Sequence, residues 1–425
     1  MHLGASEGRI FYNSNFKEQE DTHKRVRTVL HCDGNAFFAS CEATLHPEYN
    51  RVPFAVCGSA EERHGIVLAK IELAKKYGVS TGETVWMAKK KCPSLLTVRP
   101  TYGLYTEISR KMNKIFYDYT DLVEPFGMDE SWLDVTGSTR LFGDGKQIAD
   151  DIRARVKREL GITVSVGVSF NKVFAKLGSD LKKPDATSVI PPERFASVVW
   201  PLPVGVLLFA GRSTCEKLER AGMVTVGDLA ASDPDFIKRY MGKNGLMLRD
   251  FALGRDFSQV TAMGFETEPK SVSNGMTFRR NLVSQSDISF AAHYLSGMVA
   301  TRLRRHGMEC RTVAVSIRRV DLSTVIRQAP LPAPTCVGSE IAKAALDIIA
   351  RNRRPDEELY SFTVHAENLV RRGECELQQT MFPSQSDIKR RKLLALESAA
   401  DSVNTRFGKN SLFIASALCN SLIGT

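Results

Sequence analysis

Leu122–Val135, LVEPFGMDESWLDV, decides the fold of this 425-residue chain. Two apolar, strand-like arms, Leu122–Phe126 and Ser131–Val135, flank Gly127-Met128-Asp129-Glu130, so two adjacent carboxylates are expected at a hairpin. Working backwards, Tyr102–Asp118 places Leu104, Ile108, Met112, Ile115 and Phe116 at helical spacing. Further back, Thr28–Cys32 (TVLHC) is a short apolar strand running into Asp33-Gly34-Asn35, and Phe37, Cys41 and Leu45 recur as a helix would place them. Working forwards, Gln147–Leu160 is an amphipathic helix and Thr163–Phe170 (TVSVGVSF) alternates like a strand. The order is that of a split βαβ, ferredoxin-like sheet with a large insertion after its first strand. In that insertion Pro53–Cys57 and Ile66–Ala69 read as strands, and Leu73–Tyr77 as a helix stopped by Gly78.

In such a sheet the first strand neighbours the hairpin, so Asp33, Asp129 and Glu130 are expected to converge on one edge. Three close carboxylates repel unless cations neutralise them. Hard divalent ions with oxygen ligands do so, and Mg²⁺ keeps positions for water and phosphate. Two such ions clamp the attacking and leaving oxygens of a phosphoryl displacement. Taken singly, each acid fits an ordinary turn cap; as a set, with this strand order and a basic region downstream, they point to metal chemistry.

Beyond the sheet, Leu207–Ala221 and Val226–Ala231 read as short helices joined by Gly222–Thr225, with Gly211 in the pattern of a hairpin between helices. Gly264–Pro269 is polar and unpatterned, a linker. A second α/β region follows: helix Ala292–Arg305, strand Thr312–Val320, helix Glu340–Ala350, strand Tyr360–His365, and a last helix from about Asp387 to Phe407.

The net charge is +10, and most of the basic excess lies in residues 271–372, which points to a polyanion, nucleic acid above all. A solvated basic face fits the charge alone equally well. Nine scattered cysteines with no C-x-x-C pair argue against a zinc site or a disulfide framework. No apolar run approaches a membrane span, and Met1–Thr28 lacks the order of a signal peptide, so a cytoplasmic protein with no membrane association is expected.

Cys32–Glu42 (CDGNAFFASCE) and Met128–Asp134 (MDESWLD) closely resemble the two catalytic motifs of Y-family DNA polymerases, particularly the bacterial polymerase IV group. Gly65–Gly82, Val166–Pro184 and Leu202–Leu229 resemble further segments of that family in the same order, so the resemblance runs colinearly over residues 28–407. It implies an α+β, multidomain right-hand polymerase: an extension at 1–27, a palm at 28–36 and 98–188, and small fingers at 37–97. A helical thumb with a helix-hairpin-helix at 189–262, a linker at 263–270, an α/β little finger at 271–370 and a tail at 371–425 complete it. The implied activity is template-directed addition of deoxynucleotides to a primer end, in translesion synthesis and DNA repair, by a monomer.

Residue by residue, the resemblance makes Asp33 and Asp129 metal carboxylates, Glu130 the third acid at the primer end, and the Gly34 carbonyl a further ligand, around two Mg²⁺ ions. Phe38 matches the aromatic that leaves no room for a 2′-hydroxyl; core packing is its plain alternative. Lys75 and Lys183 match positions that contact the nucleoside triphosphate. Gly211 and Arg212 match the thumb hairpin that holds primer–template phosphates, and Arg279, Arg280, Arg318 and Arg319 stand where the little finger grips duplex DNA. Gln378, Met381 and Phe382, in QQTMF, resemble the peptide that holds the replicative sliding clamp. Ile71-Glu72 departs from the family, which often has Asn-Tyr near the triphosphate. A non-catalytic relative would have lost one of the three acids, and a nucleotide cyclase built on a similar palm would leave the thumb-like hairpin and basic region without a purpose.

Overall fold

The computed structural model describes residues 26–59, 65–265, 268–354, 356–374, 385–408, 411–412 and 422. They fall into two compact units, one carried by residues 26–57 and 66–265 and the other by those from 268 onward.

The first unit is centred on a five-stranded sheet whose order is Val123–Pro125, Glu130–Asp134, Val29–Gly34, Val164–Ser169, Thr187–Ile190. The first four strands have the split βαβ order read from the sequence, and a fifth joins in parallel beside Val164–Ser169. Strand alternation gives the sheet two unlike faces. Leu30, Cys32, Leu133, Val164, Val166 and Val168 point to one side and are sealed by helices Tyr102–Tyr117 and Gly145–Leu160. The second of these begins two residues earlier than its periodicity indicates. Asp144 caps it, accepting from the Gln147 N–H at 2.8 Å while Gln147 accepts from the Asp144 N–H.

On the other side stand His31, Asp33, Glu130, Trp132 and Gly167, with His31 registered against Trp132 and Gly167. A helix absent from the sequence-based expectation, Lys172–Leu181, lies across this face. Asn171 starts it, its Oδ1 accepting from the Phe174 N–H at 2.8 Å. Gly167 is what lets it come so close: a Cβ there would stand 1.9 Å from the Ala175 carbonyl oxygen and 2.4 Å from the Ser179 nitrogen.

Between the first strand and helix Tyr102–Tyr117 comes the insertion, a small sheet ordered Val67–Lys70, Phe54–Cys57, Leu96–Val98 with its own core of Ala55, Val67, Ala74 and Ala88. Helix Phe37–Leu45 serves both bodies, burying Phe37 and Cys41 in the main core and Ala39 and Ala43 against Phe54 and Val56. After the main sheet, short helices gather around Val204, Leu218, Leu229 and Leu248. The helix expected from Leu207 starts only at Arg212, because Val204–Val206 forms a 3₁₀ turn and Phe209 takes a left-handed φ of 69° that no helix accommodates. A 19-residue helix, Pro234–Ala252, is not evident from periodicity; Gly242, at φ 68°, breaks its regularity.

The second unit is a four-stranded antiparallel sheet ordered Thr324–Thr335, Met308–Arg319, Leu359–Arg371, Ser271–Leu282, covered by helices Gln285–Arg305 and Gly338–Asn352. Neither edge strand is among the sequence-based expectations. Thr324–Thr335 carries Pro330, Pro332 and Pro334 at alternate positions, so each missing N–H turns to the same side, which only an edge strand tolerates. The final helix, Gln385–Phe407, is bound to this unit through Arg304, which reaches both Asp401 at 2.6 Å and Glu397; Glu397 also accepts from the Gly338 N–H at 3.1 Å. Among the described residues no helix is long and apolar enough to cross a membrane.

Candidate active site

Two backbone relationships assemble the acids. Asp33 and Glu130 are registered directly opposite one another on neighbouring antiparallel strands, so their side chains share a face. The Gly34 N–H then donates to the Asp129 carbonyl at 2.8 Å and ties the hairpin turn to the end of the first strand. Gly34 is tightly enclosed: a Cβ would meet the Phe37 ring at 3.0 Å and the Asp129 Cβ at 3.3 Å, so a larger residue would have to push them aside. Of the three acids expected to converge, the register opposes Asp33 and Glu130, and the Gly34 bond sets the Asp129 backbone beside them; the group within ligand distance of one another is His31, Asp33 and Glu130.

Around these acids the helix on the same face delivers Lys176, and the segment just past its end delivers Lys183. Lys176 Nζ lies 2.5 Å from Glu130 and 4.0 Å from Asp33, and Lys183 Nζ lies 2.9 Å from Asp33 and 2.7 Å from Asp180. Below them is fully buried His31. Its Nδ1 lies 2.8 Å from the Ser179 hydroxyl, and its Nε2 is 3.3 Å from Glu130, short of a well-aligned hydrogen bond. Burial lowers the His31 pKa, against the pull of Glu130.

The two adjacent acids are driven in opposite directions. Burial, then the charges of Asp33 and Glu130, push Asp129 up from 3.8 to about 6. Burial also works against ionised Glu130, but His31 and Lys176 outweigh it and hold Glu130 down at about 2. Asp129 is the acid without a cation at ion-pairing distance among the described residues. The ligand atoms of His31, Asp33 and Glu130 all lie within 4.8 Å of one another, and two carboxylates beside the uncompensated Asp129 suit a divalent cation.

Beside the acids opens a cleft of about 580 Å³ lined by Asp33, Gly34, Phe38, Ile71, Asp129 and Lys183, among others. Phe38 is half-buried on its wall. Its ring stacks on Tyr105 (centroids 4.4 Å apart, planes at 11°) and meets Tyr102 edge-on at 6.0 Å. Tyr105 is itself pinned, its hydroxyl donating to buried Glu42 and accepting from the Thr101 N–H at 3.0 Å.

Residues 32–180 match the model of the impB/mucB/samB family, and residues 269–381 match the model of that family's C-terminal domain. A DNA polymerase IV of Acetivibrio thermocellus is 48% identical over 386 residues, 91% of this chain and 96% of that protein. The chain belongs to the Y-family DNA polymerases. DNA polymerase IV 1 of Bacillus subtilis, a more distant member of the family, is 32% identical over 90% of this chain and 91% of its own length. A solved Y-family polymerase chimera of Dbh and Dpo4 shares the fold, with a TM-score of 0.72 and 21% identity over 81% of this chain and 99% of the chimera.

The remaining family positions fall in varied surroundings. Lys75 is exposed at the cleft and pairs with Glu72, the acid of the departing Ile71-Glu72 pair, at 3.2 Å. Gly211 is the N-cap of helix Arg212–Arg220, and exposed Arg212 pairs with Glu216 at 2.9 Å. In the second unit Arg280 grips Asp287 with two bonds of 2.7 and 2.8 Å, and Arg319 holds Glu357 at 2.6 Å. Arg318 stacks over the Tyr360 ring at 5.5 Å, and Arg279 is exposed. Gln378, Met381 and Phe382 lie outside the described residues.

His31 and Lys176 are not among the sequence-based candidates, although each carries a signal. His31 is two residues before Asp33 and therefore on the same strand face. Lys176 is four residues after Lys172 and so falls one turn along the same side of the helix that begins there.

Proposed function

We propose that this polymerase extends a primer on a DNA template with deoxynucleotides, using Asp33, Asp129 and Glu130 to hold two Mg²⁺ ions, in translesion synthesis and DNA repair. The observation that carries this reading is the opposition of Asp33 and Glu130 in register, closed by the Gly34–Asp129 hydrogen bond, at the mouth of a cleft walled by Phe38.

The magnesium pair, when bound, would activate the primer hydroxyl and offset the charge that grows on the transferred phosphoryl group. The protein's own residues set the geometry. Asp129, with the Gly34 carbonyl nearby, offers oxygen ligands beside Asp33, while His31 and Lys176 hold Glu130 ionised and oriented towards the primer end. Lys183 and Lys75 face the triphosphate, where fixed cations stabilise the departing charge. Phe38, braced by Tyr105, excludes a ribose 2′-hydroxyl by volume.

On this reading the main sheet is the palm, residues 37–97 are small fingers that leave room for a distorted template base, and the helical cluster over 189–262 is the thumb. Gly211 and Arg212 present a helix N-terminus to DNA phosphates. Arg279, Arg280, Arg318 and Arg319 would make backbone contacts from the little finger, residues 271–370, for which Arg280 and Arg319 would have to leave their carboxylates. A monomer working in the cytoplasm, tethered to the sliding clamp through Gln378, Met381 and Phe382, completes the proposal.

Primer extension with Mg²⁺ on a templated duplex tests it. Wild type should add the templated deoxynucleotide, and Asp129→Ala and Glu130→Ala should each lose about a hundredfold to a thousandfold in rate, as when electrostatic stabilisation of a transition state is removed. Undiminished extension by both variants overturns the mechanism.

A further inference from the structure

Lys176 stands apart from the other cations of the site because it reaches two of the three acids at once. Its Nζ is 2.5 Å from Glu130 Oε2 and 4.0 Å from Asp33 Oδ2, and it is largely withdrawn from solvent. Those carboxylates are opposed on adjacent strands, a pairing that like charges make unfavourable unless a cation intervenes. The ammonium is also delivered by a fixed element. Helix Lys172–Leu181 is capped by Asn171, pressed onto Gly167 of the sheet, and anchored by Lys172, which pairs with Glu124 at 2.6 Å and sits 4.5 Å from the Trp132 ring centroid. The Lys176 stem is long and its head a compact point charge, so it can withdraw from the acids without moving the helix. The Phe126 ring, with its centroid 5.7 Å from Nζ, offers the displaced ammonium a π face.

We infer that Lys176 is a resident counter-ion: it neutralises Glu130 and Asp33 when no metal is bound, competes with divalent cations for those carboxylates, and is displaced as they bind. The inference rests on reading the acids as metal carboxylates. It assigns Lys176 a positioning role with two opposite effects, steadying the metal-free fold and weakening metal affinity.

The test is a calorimetric titration of Mg²⁺ into the full, nucleotide-free chain, comparing wild type with Lys176→Met and Lys176→Arg. Lys176→Met should bind Mg²⁺ about tenfold more tightly, since a cation competing at short range has been removed. It should also melt at a lower temperature in EDTA and gain more than wild type on adding Mg²⁺. Lys176→Arg, which keeps the charge, should stay close to wild type in affinity. Equal or weaker binding by Lys176→Met overturns the inference while leaving the acids as metal ligands. Absence of Mg²⁺ binding to wild type overturns the reading of the acids themselves. Should Lys176→Met not fold, labelling of the wild-type lysine by an amine-reactive ester, read by peptide mass spectrometry, decides the matter: Mg²⁺ should speed labelling at Lys176, and slower or unchanged labelling refutes displacement.

Discussion

Replacing Asp129 by Asn should stabilise the metal-free protein, whereas replacing its neighbour Glu130 by Gln should destabilise it. Asp129 is held at about 6 in the folded chain against an ordinary 3.8, a rise caused by burial and by Asp33 and Glu130. Above about pH 6 the folded state carries an anion it disfavours. A tenfold change in proton affinity between the unfolded and folded chains corresponds to about 1.4 kcal/mol, and because Asp129 keeps some solvent contact the cost is about 1–3 kcal/mol. Asn removes the charge at nearly the same volume. In a protein body of this size that gain should raise the melting temperature by about 2–4 °C per kcal/mol. As pH falls below 6, wild-type Asp129 takes up its proton in the folded state before the unfolded one does, so the advantage of Asn shrinks and is gone near pH 4. Glu130 behaves oppositely. Despite its burial, His31 and Lys176 hold its pKa near 2, so it contributes stability above about pH 4.5 that fades as pH falls towards 2. Urea denaturation in EDTA, followed by circular dichroism from pH 2 to 8, measures both. A destabilised Asp129→Asn at pH 7.5, or a gain that does not change with pH, refutes this account of the electrostatics.

Three further outcomes are expected. Phe38→Ala should admit ribonucleotides, lowering discrimination in single-nucleotide incorporation by at least about tenfold, the scale of a few missing methylene contacts; unchanged discrimination would make Phe38 a packing residue alone. Glu72→Gln should free Lys75 from its ion pair and lower KM for the incoming nucleotide in steady-state extension, with kcat little altered. Gly167→Ala should cost about 3 kcal/mol or more in chemical denaturation, since its methyl would overlap the Ala175 carbonyl and lift helix Lys172–Leu181 off the sheet.

Much of this architecture is legible in the chain itself, for identifiable reasons. Asp129-Glu130 between two apolar arms and Asp33 after another are patterns that period-2 alternation explains, and the split βαβ order follows from them. Lys176 and His31 are harder to see because a lysine on a helix and a histidine in an apolar strand have ordinary explanations; only the close seating of helix Lys172–Leu181, which Gly167 permits, turns Lys176 onto the acids. Strand Thr324–Thr335 is hidden by its three prolines, and its edge position is a tertiary fact that local pattern cannot supply. Arg280 shows the limit of counting charge: its guanidinium serves the N-terminus of helix Gln285–Arg305 through Asp287, a role its place in a basic region does not reveal.

The claim on which the rest depends is that Asp33, Asp129 and Glu130 act together as one cation-binding set. Anomalous scattering from crystals of the chain bound to primer–template DNA, a non-hydrolysable deoxynucleotide and Mn²⁺ addresses it directly. The account predicts two manganese peaks about 3.5–4 Å apart, bonded to these carboxylates; crystals with DNA and nucleotide in place but no manganese against them would contradict it.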